Sequence, residues 1–163
     1  METIFITEVK DIDKIQLFNV YREGIRKNAI RYNETEQQIE QEHWSYLVDF
    51  LENKKGFLAI LKDKEKYVAA LRILPKENYE YYCEAFEVAE DSRSKGYGKQ
   101  LYRDVIAFIE NRNQHFKIEA HTWKTNYASI TAHKGVGFEI AKDYVLEDDG
   151  TKNEKEITLC LNK

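Results

Sequence analysis

Apolar and polar positions alternate from Ile4 to Val9, the two-residue period of a first strand. The period then lengthens. Ile15, Phe18, Tyr21 or Arg22, and Ile25 recur at helical spacing, with Asp11 or Asp13 placed to cap the start. A polar break follows from Asn28 to Asn33. A second helix begins near Thr35, where Thr35 and Gln38 have the spacing of a capping box, and Ile39, His43, Leu47 and Phe50 share one face. Gly56 to Leu61 and Tyr67 to Leu74 read as strands joined by the charged turn Lys62 to Lys66, and Pro75 ends the second. Tyr79 to Val88 is a fourth strand, Gly96 to Arg112 a third helix, Lys117 to Trp123 a fifth strand and Asn126 to Gly135 a short helix. Phe138 to Leu146 and Lys155 to Leu161 close the chain as an antiparallel pair across Glu147 to Gly150.

This order, β-α-α-β-β-β-α-β-α-β-β, predicts an α/β (α+β) fold with a mixed, mostly antiparallel sheet of about seven strands and four helices. The fourth and fifth strands flank a helix, so they are expected to run parallel through a right-handed crossover. At 163 residues the chain is read as one domain, residues 1–163.

Composition narrows the function classes. Apolar content of 42% with 13% aromatics suits a packed globule. A net charge of −4 gives no reason to expect nucleic acid or an anionic membrane as partner. No apolar run approaches the roughly 18 residues that cross a bilayer, and Met1 to Glu8 lacks a basic, then apolar, leader pattern. Cys83 and Cys160 make no metal-ligand spacing. A cytoplasmic protein with free thiols and no metal is therefore expected. The sequon at Asn33 to Thr35 is read as chance in such a protein.

The segment Arg93-Ser94-Lys95-Gly96-Tyr97-Gly98 stands between the fourth strand and the third helix. Arg93, Lys95, Lys99 and Arg103 crowd it with positive charge in a chain that is acidic overall. A strand, a glycine-containing basic turn and a helix N-terminus together make an anion site, because several N–H groups converge there with the positive end of the helix dipole. The spacing excludes the common nucleotide loops. Gly98-Lys99 is followed by Gln100, not Ser or Thr, and position 101 is Leu where a dinucleotide fingerprint needs a small residue.

What remains, Arg-x-x-Gly-x-Gly, resembles the pyrophosphate signature of the GNAT N-acetyltransferase superfamily. Asn126-Tyr-Ala-Ser-Ile-Thr-Ala-His133-Lys-Gly-Val-Gly137-Phe138 is similar to the second motif of that family, and the element order matches it too. The resemblance implies a fourth and fifth strand splayed around acetyl coenzyme A as co-substrate. It implies that Arg93, Ser94, Lys95, Gly96, Tyr97, Gly98 and Lys99 hold the pyrophosphate. The backbone of Phe86 and Val88 would pair with the pantetheine arm, and Asn126 would bond to it besides capping its own helix.

His133 stands where the family usually has Tyr, so it is the expected proton donor to the departing thiolate. Its plainer role is a half-buried structural histidine. Glu84 is the expected acceptor of the amine's proton. Strand alternation places it on the face of Tyr82, Phe86 and Val88, with Glu87 opposite. The expected reaction is acetyl transfer to a primary amine on a small molecule or peptide by direct attack in a ternary complex. The alternative is a sensor or interaction module of the same fold that binds acyl coenzyme A without turnover. His43, Trp44, Tyr46, His121 and Trp123 are read as packing or rim residues near the cleft, and Cys83 as inert. An edge strand near the C-terminus suits a homodimer.

Overall fold

In the computed structural model, which describes Met1 to Lys163, β1 (Glu2–Ile6) leaves the sheet earlier than its alternation suggested. Val9–Asp11 forms a 3-10 turn instead of more strand. Asp13 caps α1 (Lys14–Val20), its side chain accepting from the Gln16 N–H at 3.1 Å. The single first helix expected from the stripe is two helices. Tyr21 sits between α1 and α2 (Arg22–Tyr32) at ψ 10°, with its ring buried and its hydroxyl donating to the Ala85 carbonyl at 2.6 Å. That tie to the sheet makes the helix count five rather than four. The polar break from Asn28 is also corrected: α2 continues to Tyr32 because Ala29 is buried. It ends on Asn33 in the left-handed conformation, which Asn tolerates better than most side chains. Thr35 and Gln38 form the reciprocal capping box that opens α3 (Glu36–Glu52).

The remaining elements are β2 (Phe57–Asp63), β3 (Lys66–Pro75), β4 (Glu80–Val88), α4 (Tyr97–Glu110), β5 (Lys117–Trp123) and α5 (Tyr127–Lys134), then β6 (Glu139–Lys142), β7 (Val145–Leu146), β8 (Lys152–Asn153) and β9 (Glu156–Asn162). The main sheet has seven strands in the order β1-β2-β3-β4-β5-β9-β6, and β4–β5 is its parallel pair. The closing pair is less regular than its sequence suggests. The β6–β9 register slips between Ile140 and Lys142, and the Thr158 hydroxyl takes the Tyr144 carbonyl. Val145 and Leu146 then pair with β8 in a separate ribbon.

Two apolar layers enclose the sheet. One packs α4 against it through Leu101, Val105 and Ile109, a one-face stripe at four-residue spacing. The other packs α1 to α3 through Leu17, Leu47 and Phe50. Burying each such side chain contributes about 1.5–3 kcal/mol. The second layer leaves room over β3 and β4, which is where the candidate site opens. No helix is long and apolar enough to cross a membrane.

Candidate active site

The parallel pairing of β4 with β5 runs only from Glu80–Lys117 to Cys83–Ala120. Beyond it β4 stays with β3, and β5 stays with β9 as far as Trp123, so the two strands part. The divergence begins at a bulge. Arg72 pairs with Glu84 and Ala70 with Glu87, so Ala85 and Phe86 together oppose Leu71. Ala85 takes φ +50°, a strained value for a residue with a Cβ.

The bulge corrects the face assignment made by alternation. An extra residue shifts the two-residue period, so residues before and after it change faces. Phe86 and Val88 face α4, with Phe86 4.9 Å from the Tyr102 ring and 5.7 Å from the His133 ring. Glu84 faces α3 instead, and Glu87 joins it on that side rather than opposing it.

Past the bulge, the Ala89 N–H donates to the Val68 carbonyl at 2.9 Å. Alternation therefore turns the N–H and C=O of Val88 the other way, into the gap. The Val88 carbonyl accepts from Arg93 Nε at 3.3 Å, which leaves the Val88 N–H as a free donor.

None of the backbone N–H groups from Arg93 to Lys99 donates to another backbone group. Ser94 and Gly96 have φ of +61° and +78°, and that curl turns successive amides outward ahead of α4. Such an amide nest with a helix N-terminus attracts an anion. Lys95 and Lys99 add charge without an acidic partner of their own. Arg93 is different: its guanidinium pairs with Glu23 on α2. The Tyr97 hydroxyl is anchored to Asp63 at 2.8 Å. Gly98 serves packing, since a Cβ there would stand 2.7 Å from Phe86 Cζ and 3.3 Å from Val88 Cγ2. Gly135 on the neighbouring helix makes room for Lys99, whose Cε would lie 2.7 Å from an added Cβ.

Asn126 caps α5, its Oδ1 accepting from the Ser129 N–H at 3.1 Å. Its amide nitrogen remains free at the mouth of the gap. His133 lies deeper than half-buried, at 2% exposure. Nδ1 is 2.7 Å from the Ser129 carbonyl and so carries the hydrogen, and Nε2 accepts from the Tyr102 hydroxyl at 2.6 Å. Burial pushes the imidazole pKa down, against the Ser129 hydrogen bond.

Across β4 a cavity of about 440 Å³ opens between α2, α3 and the sheet, with Tyr21, His43, Tyr46, Arg72 and Glu87 in its walls. Arg72 lies 4.6 Å over the Tyr46 ring with its Nε 3.2 Å from Glu84, and the Tyr46 hydroxyl donates to the same carboxylate at 3.1 Å. Glu84 is thus a counter-ion inside the wall. Glu87 is 36% exposed, into the cavity, and its nearest cation is Arg93 at 3.9 Å. Burial raises its pKa, which Arg93 only partly offsets. Tyr21, Arg72 and Tyr102 carry no motif that marks them in the sequence. Ala85-Phe86 has no glycine to announce the bulge that brings Glu87 forward.

His43 is pressed edge-on to the Tyr21 ring at 4.7 Å, and burial, then Arg72, lowers its pKa to about 4. With His133 lowered in the same direction, the unfolded chain binds protons that the folded one refuses. Stability is therefore full above pH about 6.5 and falls as the pH drops toward 4, by roughly 2–3 kcal/mol from His43 alone. Chemical denaturation at pH 7 and pH 4.5 measures this loss, and His43→Phe reduces it.

A family model described as acetyltransferase (GNAT) family matches residues 17–138. No curated protein is significantly similar in sequence. Many solved structures share the fold. The paia N-acetyltransferase of Thermoplasma acidophilum, solved in complex with coenzyme A, aligns over 100% of both chains with a TM-score of 0.68 at 11% identity. The ribosomal-protein-S18-alanine N-acetyltransferase of Escherichia coli aligns over 99% of this chain and 94% of its own, with a TM-score of 0.63 at 17% identity. A GNAT family acetyltransferase of Elizabethkingia anophelis with acetyl-CoA bound aligns over 99% and 97%, with a TM-score of 0.63 at 18% identity.

Proposed function

The chain belongs to the GNAT acetyltransferase family, and from that premise we propose that it transfers an acetyl group from acetyl coenzyme A to a primary amine. The observation that carries the reading is the gap between β4 and β5. A free amide turn stands at one side, and a carboxylate-bearing cavity opens on the face of β4 turned toward α2 and α3. The chain's groups fit the co-substrate. The amides of residues 93 to 99, with Lys95 and Lys99, are placed to hold a pyrophosphate. The exposed edge of β4 at Phe86 and Val88 suits a pantetheine arm, and Asn126 faces it from α5.

When bound, acetyl coenzyme A supplies a thioester whose C–S bond breaks as the new C–N bond forms. The Val88 N–H is the donor placed to polarise the thioester carbonyl. Glu87, rather than Glu84, is assigned as the group that takes the ammonium proton. It faces the cavity, whereas Glu84 is committed to Arg72 and Tyr46. The second proton that nitrogen sheds returns to the sulfur, so the overall exchange releases one proton, the one Glu87 accepted. Holding amine and thioester together contributes much of the acceleration.

His133 is assigned a positioning role. Both its nitrogens are engaged and its ring supports Phe86 beneath the gap. His133→Phe is expected to lower stability by about 1–3 kcal/mol by stranding the Tyr102 hydroxyl. Adding Tyr102→Phe should restore part of that, and both losses are read by denaturant titration.

Calorimetry with coenzyme A, followed by thiol release from acetyl coenzyme A across a panel of amines, tests the function. Tight binding with no release for any amine would make the chain a coenzyme A sensor instead. Comparison of acetyl with longer acyl donors reads the chain-length preference.

A further inference from the structure

Arg93 opens the amide turn, yet its side chain is turned back onto β4 and α2. Its Nε donates to the Val88 carbonyl at 3.3 Å, one terminal nitrogen pairs with Glu23 of α2, and the same nitrogen stands 3.9 Å from Glu87. A second ion pair joins α2 to the segment between β4 and α4: Arg26 is bidentate on Glu90, at 3.0 and 3.4 Å. The two pairs have opposite polarity. One places an acid of α2 on a base and the other a base of α2 on an acid, so together they fix the register of the helix against that segment. Between them lies Gly24, where an added Cβ would stand 3.9 Å from Glu87 Oε1. Glu87 thus lies over the α2 backbone with one oxygen and faces Arg93 with the other. Gly24, Ile25 and Asn28 of the same helix wall the cavity. Other groups face Glu87 as well. Glu23 and Lys27 stand on α2. Across the cavity are Arg72 of β3, paired with Glu84, and Glu42 and His43 of α3, with the phenols of Tyr21, Tyr32 and Tyr46. Burial keeps His43 neutral at pH 7.

We propose that the Arg93 side chain is a positioning group of the acceptor site, holding α2 and the Glu87 carboxylate in register with the Val88 backbone, and is not a ligand of the pyrophosphate. This rests on the acetyl-transfer reading, with Glu87 as proton acceptor, and it reverses the role that family resemblance implied for this side chain. The amides of the turn, with Lys95 and Lys99, are left to hold the anion. Through Arg93 the turn that receives the coenzyme and the wall that receives the amine act as one unit.

Two substitutions should move the titration of Glu87 in opposite directions. A cation beside a carboxylate favours its charged form, and an anion beside it favours the neutral form. Arg93→Gln should therefore raise the Glu87 midpoint, by about one pH unit. Glu23→Gln removes the competing anion and releases Arg93 toward Glu87, so the midpoint should fall. Carboxyl-carbon NMR of the whole chain without ligand reads both midpoints, the Glu87 signal being identified by its loss in Glu87→Gln. The acidic limb of kcat/KM, from thiol release, should shift the same two ways. Coenzyme A affinity of Arg93→Gln, by calorimetry, should fall less than roughly tenfold. A midpoint unmoved or lowered in Arg93→Gln, one unmoved or raised in Glu23→Gln, or a larger loss of coenzyme A affinity would overturn the proposal. Should Arg93→Gln fail to fold, Glu23→Gln decides by the sign of its shift. Shifts of the expected signs with no thiol release for any amine would uphold the tie between Arg93 and Glu87 and reject acetyl transfer instead.

Discussion

Replacing Glu87 by Gln should lower kcat by about 10²–10⁴-fold, the usual contribution of a positioned general base, with coenzyme A affinity unchanged. Gln keeps the shape and loses the basic oxygen. The expectation follows from three facts. The Ala85 bulge turns Glu87 into the cavity, burial raises its pKa above the ordinary carboxylate value, and its nearest cation stands at 3.9 Å. The acidic limb of the kcat/KM profile should flatten in the variant. In the wild type, activity is lost as the pH falls through the raised Glu87 pKa, because a protonated carboxyl cannot accept the ammonium proton.

Glu84→Gln should behave differently. It leaves Arg72 without its counter-charge in a wall where the two side chains are 13% and 20% exposed. The principal effect is a stability loss of about 2 kcal/mol, read by denaturation. Steady-state kinetics on both variants with one amine separates the assignments. A wild-type pH profile for Glu87→Gln, with the acidic limb lost in Glu84→Gln, would exchange the two roles.

Gly98→Val should weaken coenzyme A binding at least tenfold and destabilise the fold by about 1–3 kcal/mol, an overpacking cost. The reason lies on the protein side of the turn. A Cβ at position 98 points at Phe86 Cζ, 2.7 Å away, and at Val88, so the first turn of α4 must lift from β4. Lifting it displaces the amides of Tyr97 to Lys99 that the anion needs. Gly96→Ala is a useful contrast. Nothing lies within 4 Å of its Cβ position, but φ is +78°, so its cost is backbone strain without a clash. Calorimetry of both variants with coenzyme A distinguishes the two origins. A folded Gly98→Val chain that binds as the wild type does would show that the turn tolerates displacement of α4.

Local chemistry determined much of this protein. The Thr35–Gln38 box, the Asn126 cap, the apolar stripe of α4 and the basic turn after β4 each depend on residues within a few positions of one another, and each appears where its pattern placed it. Element order was enough to make β4 and β5 parallel, since a helix between two neighbouring strands requires a crossover. Other features depended on partners far away in the chain. The α1–α2 break is held by Tyr21 reaching Ala85, 64 positions on. The bulge at Ala85 is a mismatch between β3 and β4, which neither strand's alternation can reveal alone. That one extra residue moved Glu84 off the face of Phe86 and Val88 and onto the face of Glu87. The burial of His133 likewise came from Phe86 of β4, Tyr102 of α4 and Phe138, just before β6, closing around it. Backbone pattern is written in neighbouring residues, whereas the facing and basicity of a side chain are set by whatever the fold packs against it.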